Sequence, residues 1–297
     1  GADDVTTSGG TLSNFVVVDG DTFTATFTAN ENVETLASVS VGSAYTDSVG
    51  NTGTVGSGTV SIDTLAISAS IVFAEDPLNV SSNSSIVGIE FSDEPAGFDF
   101  SDLSATRGLI SNFTVISSTQ FTVTFTAGSD TQGTGTVSII GSGFSDAAGN
   151  PGLSTFGSVL IDTRSPTAAV TIVDSVLNTV DPESNVTIEF SEPVNGFDES
   201  DLNVTGGSLS NFVVVDANSF RATFTADDGI SGEGTVSIEA ASYTDAAGNA
   251  GSAGSDTVLI ETASPGPVSI DLPTGGGSFE LLRDGADLVL RRTSGVE

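Results

Sequence analysis

The chain repeats itself, and the period of the repeat limits its fold more than any other feature. The stretch Ser208-Leu-Ser-Asn-Phe-Val-Val-Val-Asp216 recurs as Thr11-Leu-Ser-Asn-Phe-Val-Val-Val-Asp19 and, more diverged, as Leu109-Ile-Ser-Asn-Phe-Thr-Val-Ile116. The shared asparagines Asn14, Asn112 and Asn211 are spaced by 98 and 99 residues. A second marker agrees: Asp47-Ser-Val-Gly-Asn51, Asp146-Ala-Ala-Gly-Asn150 and Asp245-Ala-Ala-Gly-Asn249 are each 99 apart. Two markers with one period define a unit of about 99 residues, large enough to be a domain with its own core.

Inside the unit, apolar residues alternate with polar ones. Phe220-Arg-Ala-Thr-Phe-Thr, Phe23-Thr-Ala-Thr-Phe-Thr and Phe121-Thr-Val-Thr-Phe-Thr put aromatic and small apolar side chains on one face and polar ones on the other. Further strands are expected at Ala168–Val173, Asn185–Phe190, Leu209–Val215, Gly234–Ala240 and Thr257–Ile260. With 35 Gly and 9 Pro for turns and no helical periodicity, seven or so short strands per unit predict an antiparallel β-sandwich. The Thr-X-Thr faces are read as solvent-facing strand surface rather than an ice-binding plane.

The period divides the chain into residues 1–64, 65–163, 164–262 and 263–297. Asp4 aligns with Asp102 and Asp201, so the first copy is expected to lack the first two strands of the sandwich. The tail is expected to form a hairpin, Phe279–Arg283 with Leu288–Arg292 around Asp284-Gly285, after a short alternating stretch Val268–Leu272. The fold class expected from the pattern is all-β: tandem antiparallel β-sandwiches with a C-terminal β-hairpin tail. The chain opens at Gly1 without Met or a signal segment, which suggests a mature form or a fragment.

Charge and missing residue types exclude several functions. Of 39 acids and six cations, residues 1–262 hold 34 acids and three Arg, net −31, and the tail holds five acids and three Arg, net −2. Such a polyanion cannot neutralise a phosphate backbone or an anionic bilayer, so neither nucleic acid nor membrane insertion is expected. No Cys and no His are present, which removes disulfides, thiolate metal sites and the commonest general base.

Several segments together resemble the bacterial Ig-like domains found in tandem in large secreted, calcium-dependent adhesins of the RTX type. They are Asp162-Thr-Arg-Ser-Pro166, Glu189-Phe-Ser-Glu-Pro-Val-Asn-Gly-Phe-Asp198, Ser200-Asp-Leu202 and Tyr243-Thr-Asp-Ala-Ala-Gly-Asn249. The resemblance covers roughly residues 1–262 and implies tandem immunoglobulin-like antiparallel β-sandwiches used as a spacer in an extracellular or cell-surface fibre. No glycine-aspartate nonapeptide array is present, so a calcium β-roll is not implied.

Topology points to the same ion. In a seven-strand sandwich the B–C and F–G loops lie where the first strand enters, at the junction with the preceding domain. For the third copy this gathers Asp162, Glu192, Asp245 and Asn249; for the second it gathers Asp63, Asp93 or Glu94, Asp146 and Asn150. Carboxylates, amide oxygens and loop carbonyls suit calcium, a hard cation with six to eight oxygen ligands. Glu261 takes the corresponding place before the tail. The alternative is that Asp-Ala-Ala-Gly-Asn is a turn that bonds only its own backbone.

Carboxylates alone can build a glycosidase, but acids recurring in every copy suit a repeated structural site better than one active centre. A sugar-binding platform favours exposed Trp and Tyr; this chain has no Trp and only Tyr45 and Tyr243, at equivalent positions beside the F–G loop. The expected function is a spacer or fibre segment whose partners are its neighbouring repeats, with the surface ligand unknown. The alternatives are a homopolymer formed by strand donation into residues 1–64, with the tail hairpin as donor, and a glycan-binding module.

Overall fold

The structure, a computed structural model, describes residues 1–263, 279–284 and 287–292. The first repeat contains β1 (Val5–Ser8), β2 (Gly10–Val17), β3 (Phe23–Ala29), β4 (Glu34–Val41) and β5 (Gly56–Asp63). The second contains β6 (Ala69–Phe73), β7 (Leu78–Asn79), β8 (Ser84–Phe91), β9 (Leu103–Thr106), β10 (Gly108–Val115), β11 (Gln120–Ala127), β12 (Gln132–Ile139) and β13 (Thr155–Asp162). The third repeats that order as β14 (Ala168–Ile172), β15 (Val176–Asn178), β16 (Glu183–Phe190), β17 (Leu202–Thr205), β18 (Gly207–Val214), β19 (Ser219–Ala226), β20 (Ser231–Ile238) and β21 (Gly254–Glu261). In the tail, β22 (Phe279–Asp284) pairs antiparallel with β23 (Asp287–Arg292), one residue longer at each inner end than the alternation predicts. The stretch 268–272 lies outside the described residues.

Each complete repeat is a sandwich of two four-stranded sheets. In the second repeat these run β10-β11-β8-β6 and β7-β13-β12-β9; in the third, β14-β16-β19-β18 and β15-β21-β20-β17. The first strand of the unit is split, which the alternation does not show. β14 pairs antiparallel with β16, then the chain crosses to the other sheet, where β15 runs parallel to β21. A unit thus has eight strand segments rather than seven.

Alternation places the core. Val186, Ile188 and Phe190 of β16 and Phe220, Ala222, Phe224 and Ala226 of β19 all point inward and are buried. Their counterparts Val87, Ile89 and Phe91 with Phe121, Val123, Phe125 and Ala127 do the same in the second repeat. The repeated asparagines have a backbone role. Asn14, Asn112 and Asn211 have φ of 51°, 54° and 53°, and the ladder register shifts at each of them. Asn tolerates the left-handed region better than other side-chain-bearing residues, so the recurring Ser-Asn marks a β-bulge.

The first repeat has sheets β1-β4-β5 and β2-β3, the counterparts of β9-β12-β13 and β10-β11. Residues 1–64 contain no counterpart of β6, β7 or β8, so three segments are missing rather than two strands, because the first strand is split. What these segments cover in the other repeats is bare here. Phe23 is 51% exposed, against 7% for Phe121 and 5% for Phe220, and Val60 is 52% exposed, against 2% for Val159. Only Ala37 and Ile62 are buried hydrophobics in this repeat.

One residue pair tests how much stability the missing segments remove. Phe121 packs against Phe91, Phe98 and Phe113, with ring centroids 5.7, 5.1 and 5.7 Å away. Phe121→Ala is expected to destabilise the second repeat by about 3–5 kcal/mol. Phe23→Ala, at the equivalent but half-exposed place, should cost the first repeat less than about 1 kcal/mol. Hydrogen exchange of the β11 and β3 amides measures both; equal losses would contradict the exposure of the first repeat's core.

Candidate functional site

The B–C and F–G loops are stitched together by backbone. In the third repeat Asn195 N–H donates to the Thr244 carbonyl at 2.7 Å, and Thr244 N–H returns a bond to Asn195 at 3.1 Å. In the second, Ala96 and Ser145 exchange bonds of 2.6 and 3.1 Å. These bridges hold the turn that follows β8 or β16 beside the Asp-Ala-Ala-Gly-Asn loop, at the end where the preceding repeat arrives.

Each loop is closed by its own first and last residues. Asp245 accepts from the Asn249 backbone N–H at 2.9 Å and from Asn249 Nδ2 at 2.8 Å. Asp146 accepts the same two bonds from Asn150, both at 2.8 Å, and Asp47 accepts them from Asn51 at 2.9 and 2.7 Å. Gly50, Gly149 and Gly248 have φ of 90°, 90° and 82°, a region other residues avoid. The turn reading therefore accounts for the loop's internal geometry. Burial pushes the Asp146 carboxyl up, but the hydrogen bonds from Asn150, Ala148 and Gly149 outweigh it and hold the group below the ordinary aspartate value.

The two junctions differ. Among the described residues one trio of acids converges: Asp162, Glu192 and Asp245 each place a carboxylate oxygen within 4.8 Å of the others. Asp245 is 2% exposed, while Asp162 and Glu192 are half-buried. Gln132, at the start of β12, donates to Asp162 Oδ2 at 3.1 Å and reaches Glu192 Oε2 at 3.5 Å. Burial first, and then the Asp162 and Asp245 carboxylates, push the Glu192 carboxyl above its ordinary value, with Arg164 and Gln132 opposing. Arg164 is itself turned to Asp130, with Nε 2.9 Å from Oδ1.

At the other junction Asp63, Asp93, Glu94 and Asp146 do not converge in this way. Asp93 stands where Glu192 stands but is one methylene shorter, and its Oδ1 accepts from the Glu94 N–H at 2.7 Å. Asp63 Oδ1 is occupied by Asn150 Nδ2 at 3.2 Å and by Leu65 N–H at 3.0 Å. Of the predicted group, Asp63, Asp93, Asp146 and Asn150 are thus engaged in hydrogen bonds, and Glu94 does not join them in a converging cluster.

Asn249 departs from its expected role as an oxygen ligand. Its Nδ2 donates to Asp245, to the Asp162 carbonyl at 2.8 Å and to the Arg164 carbonyl at 3.2 Å. Its Oδ1 accepts from the Val80 N–H at 2.7 Å, across the junction. The amide oxygen is already engaged, so the converging oxygens are the three carboxylates. Glu261 is exposed at the end of β21, and residues 264–278 beyond it lie outside the described residues.

The two tyrosines mark the sandwich interior behind this end. Tyr243 is 1% exposed; its hydroxyl donates to the Ser252 carbonyl at 2.8 Å, and its ring packs on Phe190 with centroids 4.5 Å apart. The ring lies over Gly251, where a Cβ would come within 2.1 Å of it. Tyr45 makes the equivalent bond, to the Thr54 carbonyl at 2.9 Å, and is 43% exposed.

Glu192 gives a pH test. Its carboxyl is raised in the folded chain, so the folded state holds the proton more tightly than the unfolded one. The resulting stabilisation is full below the ordinary glutamate value and is lost as pH rises through the raised folded value. In chelator, the third repeat should become less stable to urea as pH rises through that window. Glu192→Gln should flatten this dependence and be the more stable form at neutral pH. An unchanged slope in the variant would mean that the three carboxylates do not repel one another as placed.

No curated protein matches the sequence. Among solved structures the chain is similar to invasin, described as a bacterial integrin-binding protein, at 14% identity and a TM-score of 0.37, covering 86% of this chain and 52% of that one. It is also similar to the adhesin InvE of Yersinia pseudotuberculosis, at 16% identity and a TM-score of 0.29, covering 65% of this chain and 58% of that one. The chain thus spans little more than half the length of either. The family model for the bacterial Ig-like domain matches three times in succession, over residues 1–64, 63–160 and 162–262. The eight-segment sandwich, its bulge and its closed F–G loop are therefore those of a tandem array, and the chain belongs to the bacterial Ig-like domain family.

Proposed function

We propose that the chain is a spacer segment of an extracellular, adhesin-like protein, and that calcium held by Asp162, Glu192 and Asp245 stiffens the junction between its second and third repeats. The observation that carries the calcium reading is the convergence of three carboxylates within 4.8 Å at an inter-repeat boundary. Three like charges converging so closely are unfavourable unless a cation compensates them. The donor chemistry fits a hard divalent ion: three carboxylates are available, and loop carbonyls and water can complete a shell.

A spacer requires domains that hold their own shape and joints that resist bending. Tandem sandwiches with separate cores meet the first need. The second falls to the residues between β13 and β14 and to the loops beside them. In this reading the chain has no catalytic centre, and its acids serve spacing, solubility and ion binding.

Calcium titration with calorimetric readout tests the proposal. Extracellular modules of this kind bind with Kd of about 10⁻⁴–10⁻³ M. Calcium at tenfold its Kd should stabilise the third repeat by about 1.4 kcal/mol. Glu192→Gln and Asp162→Asn should each abolish that gain, whereas Asp93→Asn, at the other junction, should leave it intact. A melting temperature indifferent to calcium and chelator would remove the ion from the proposal.

A further inference from the structure

We infer that the Asp245–Asn249 loop is a docking platform for the end of the preceding repeat, and that Asn79, Val80 and Asn249 fix the angle of the junction through hydrogen bonds that need no cation. This rests on the spacer reading, but not on its calcium. Besides the Gln132–Glu192 contact and the Asn249 bond to the Asp162 carbonyl, two bonds cross from the turn after β7 to this loop of the third repeat. Asn79 Nδ2 donates to the Ala247 carbonyl at 2.9 Å, and the Val80 N–H donates to Asn249 Oδ1 at 2.7 Å. Together they grip both the backbone and the last side chain of one five-residue loop.

Neither amide can turn over without loss. Asn79 Oδ1 is held by the N–H groups of Ser81 and Ser82 at 3.0 and 2.8 Å and by Ser81 Oγ at 2.9 Å, which leaves Nδ2 to face the third repeat. On the other side, the three carbonyl and carboxylate acceptors around Asn249 Nδ2 fix its oxygen toward Val80. A reversed Asn249 would set its oxygen against three acceptors and its NH₂ against an N–H. Asn249 is 2% exposed, so water cannot readily substitute.

Both halves of the contact are built into the repeat. Asn178, the counterpart of Asn79, has its Oδ1 held in the same way, by the N–H groups of Val180 and Asp181 at 2.9 and 3.1 Å. The Asp47 and Asp146 loops carry the same closing bonds as the Asp245 loop. Ordering is therefore complete within each domain before the two meet, which is the condition under which few bonds can define an angle. The surface fits one kind of partner: the end of an Ig-like repeat that offers a turn-held asparagine followed by an unbonded N–H.

The absence of cysteine allows clean spin labelling through Ser104→Cys and Ser208→Cys, both on exposed strand positions of the two repeats. In chelator the distance distribution between these labels should be narrow. Asn79→Asp keeps the acceptor that holds the turn but places an oxygen opposite the Ala247 carbonyl, and should at least double the width. A wild-type distribution already broad in chelator, or a variant distribution as narrow as wild type, overturns the inference. Should the variant disturb its own sandwich, hydrogen exchange of the unmodified chain decides. The Val80 amide, in a residue 48% exposed, should exchange at least 100-fold more slowly than in an unstructured peptide, and an unprotected amide overturns the inference. Calcium-insensitive widths in wild type would remove the ion while leaving the hydrogen-bonded dock in place.

Discussion

Asp245 and Asn249 form the pair from which the junction is hung. A nearly buried carboxylate is tolerable there because a side-chain amide and a backbone N–H, both from the residue four positions on, satisfy it. The same amide then reaches the incoming linker at the Asp162 and Arg164 carbonyls and offers its oxygen to the preceding repeat. Loop closure, linker path and domain contact thus share one carboxamide, which has only two donors and one acceptor atom to distribute. Its nitrogen serves the loop and the linker and its oxygen accepts the Val80 N–H, which sets it apart from the three carboxylates that converge beside it.

The same pair exists in each repeat, so the difference between the two junctions comes from its surroundings. Glu192 reaches toward Asp162 and Asp245, whereas Asp93, one methylene shorter, turns to its own backbone. Gln132, a neutral donor to two of the acids, is replaced at the earlier junction by Glu34, which can only accept. Small local substitutions thus give two joints of different chemistry within one array.

Much of the architecture was legible in the sequence because it rests on periodicity. The 99-residue spacing gave the domain count, and the Gly of Asp-X-X-Gly-Asn gave the left-handed turn. The Phe-X-Ala-X-Phe and Phe-X-Val-X-Phe alternations gave the inward faces of β3, β11 and β19. The split first strand was not legible, since β7 and β15 span two and three residues and are too short to alternate. β9 and β17 escape the pattern for a similar reason: four residues each, hidden behind the 3-10 turns Phe100–Asp102 and Glu199–Asp201. At the site, residue type and loop were readable, but the use of Asn249 was not. An asparagine oxygen looks the same in sequence whether it faces a cation or an N–H 169 positions away. The separation of the two acid groups turned on which loop carboxylates reach one another, and that depends on the folded backbone as well as on side-chain length.

The packing of Tyr243 over Gly251 also gives the chain an optical label for each of its parts. The third repeat carries a tyrosine sealed in its core, the first a tyrosine 43% open to water, and the second a phenylalanine, Phe144, at the same place. With no tryptophan to mask them, near-ultraviolet signals divide by domain: dichroism from an immobilised phenol reports the third sandwich alone. Burial raises the Tyr243 pKa above the ordinary phenol value, so ionisation of this ring in alkali also reports on the third sandwich. The unfolding of one domain in the array can therefore be followed without attaching a dye.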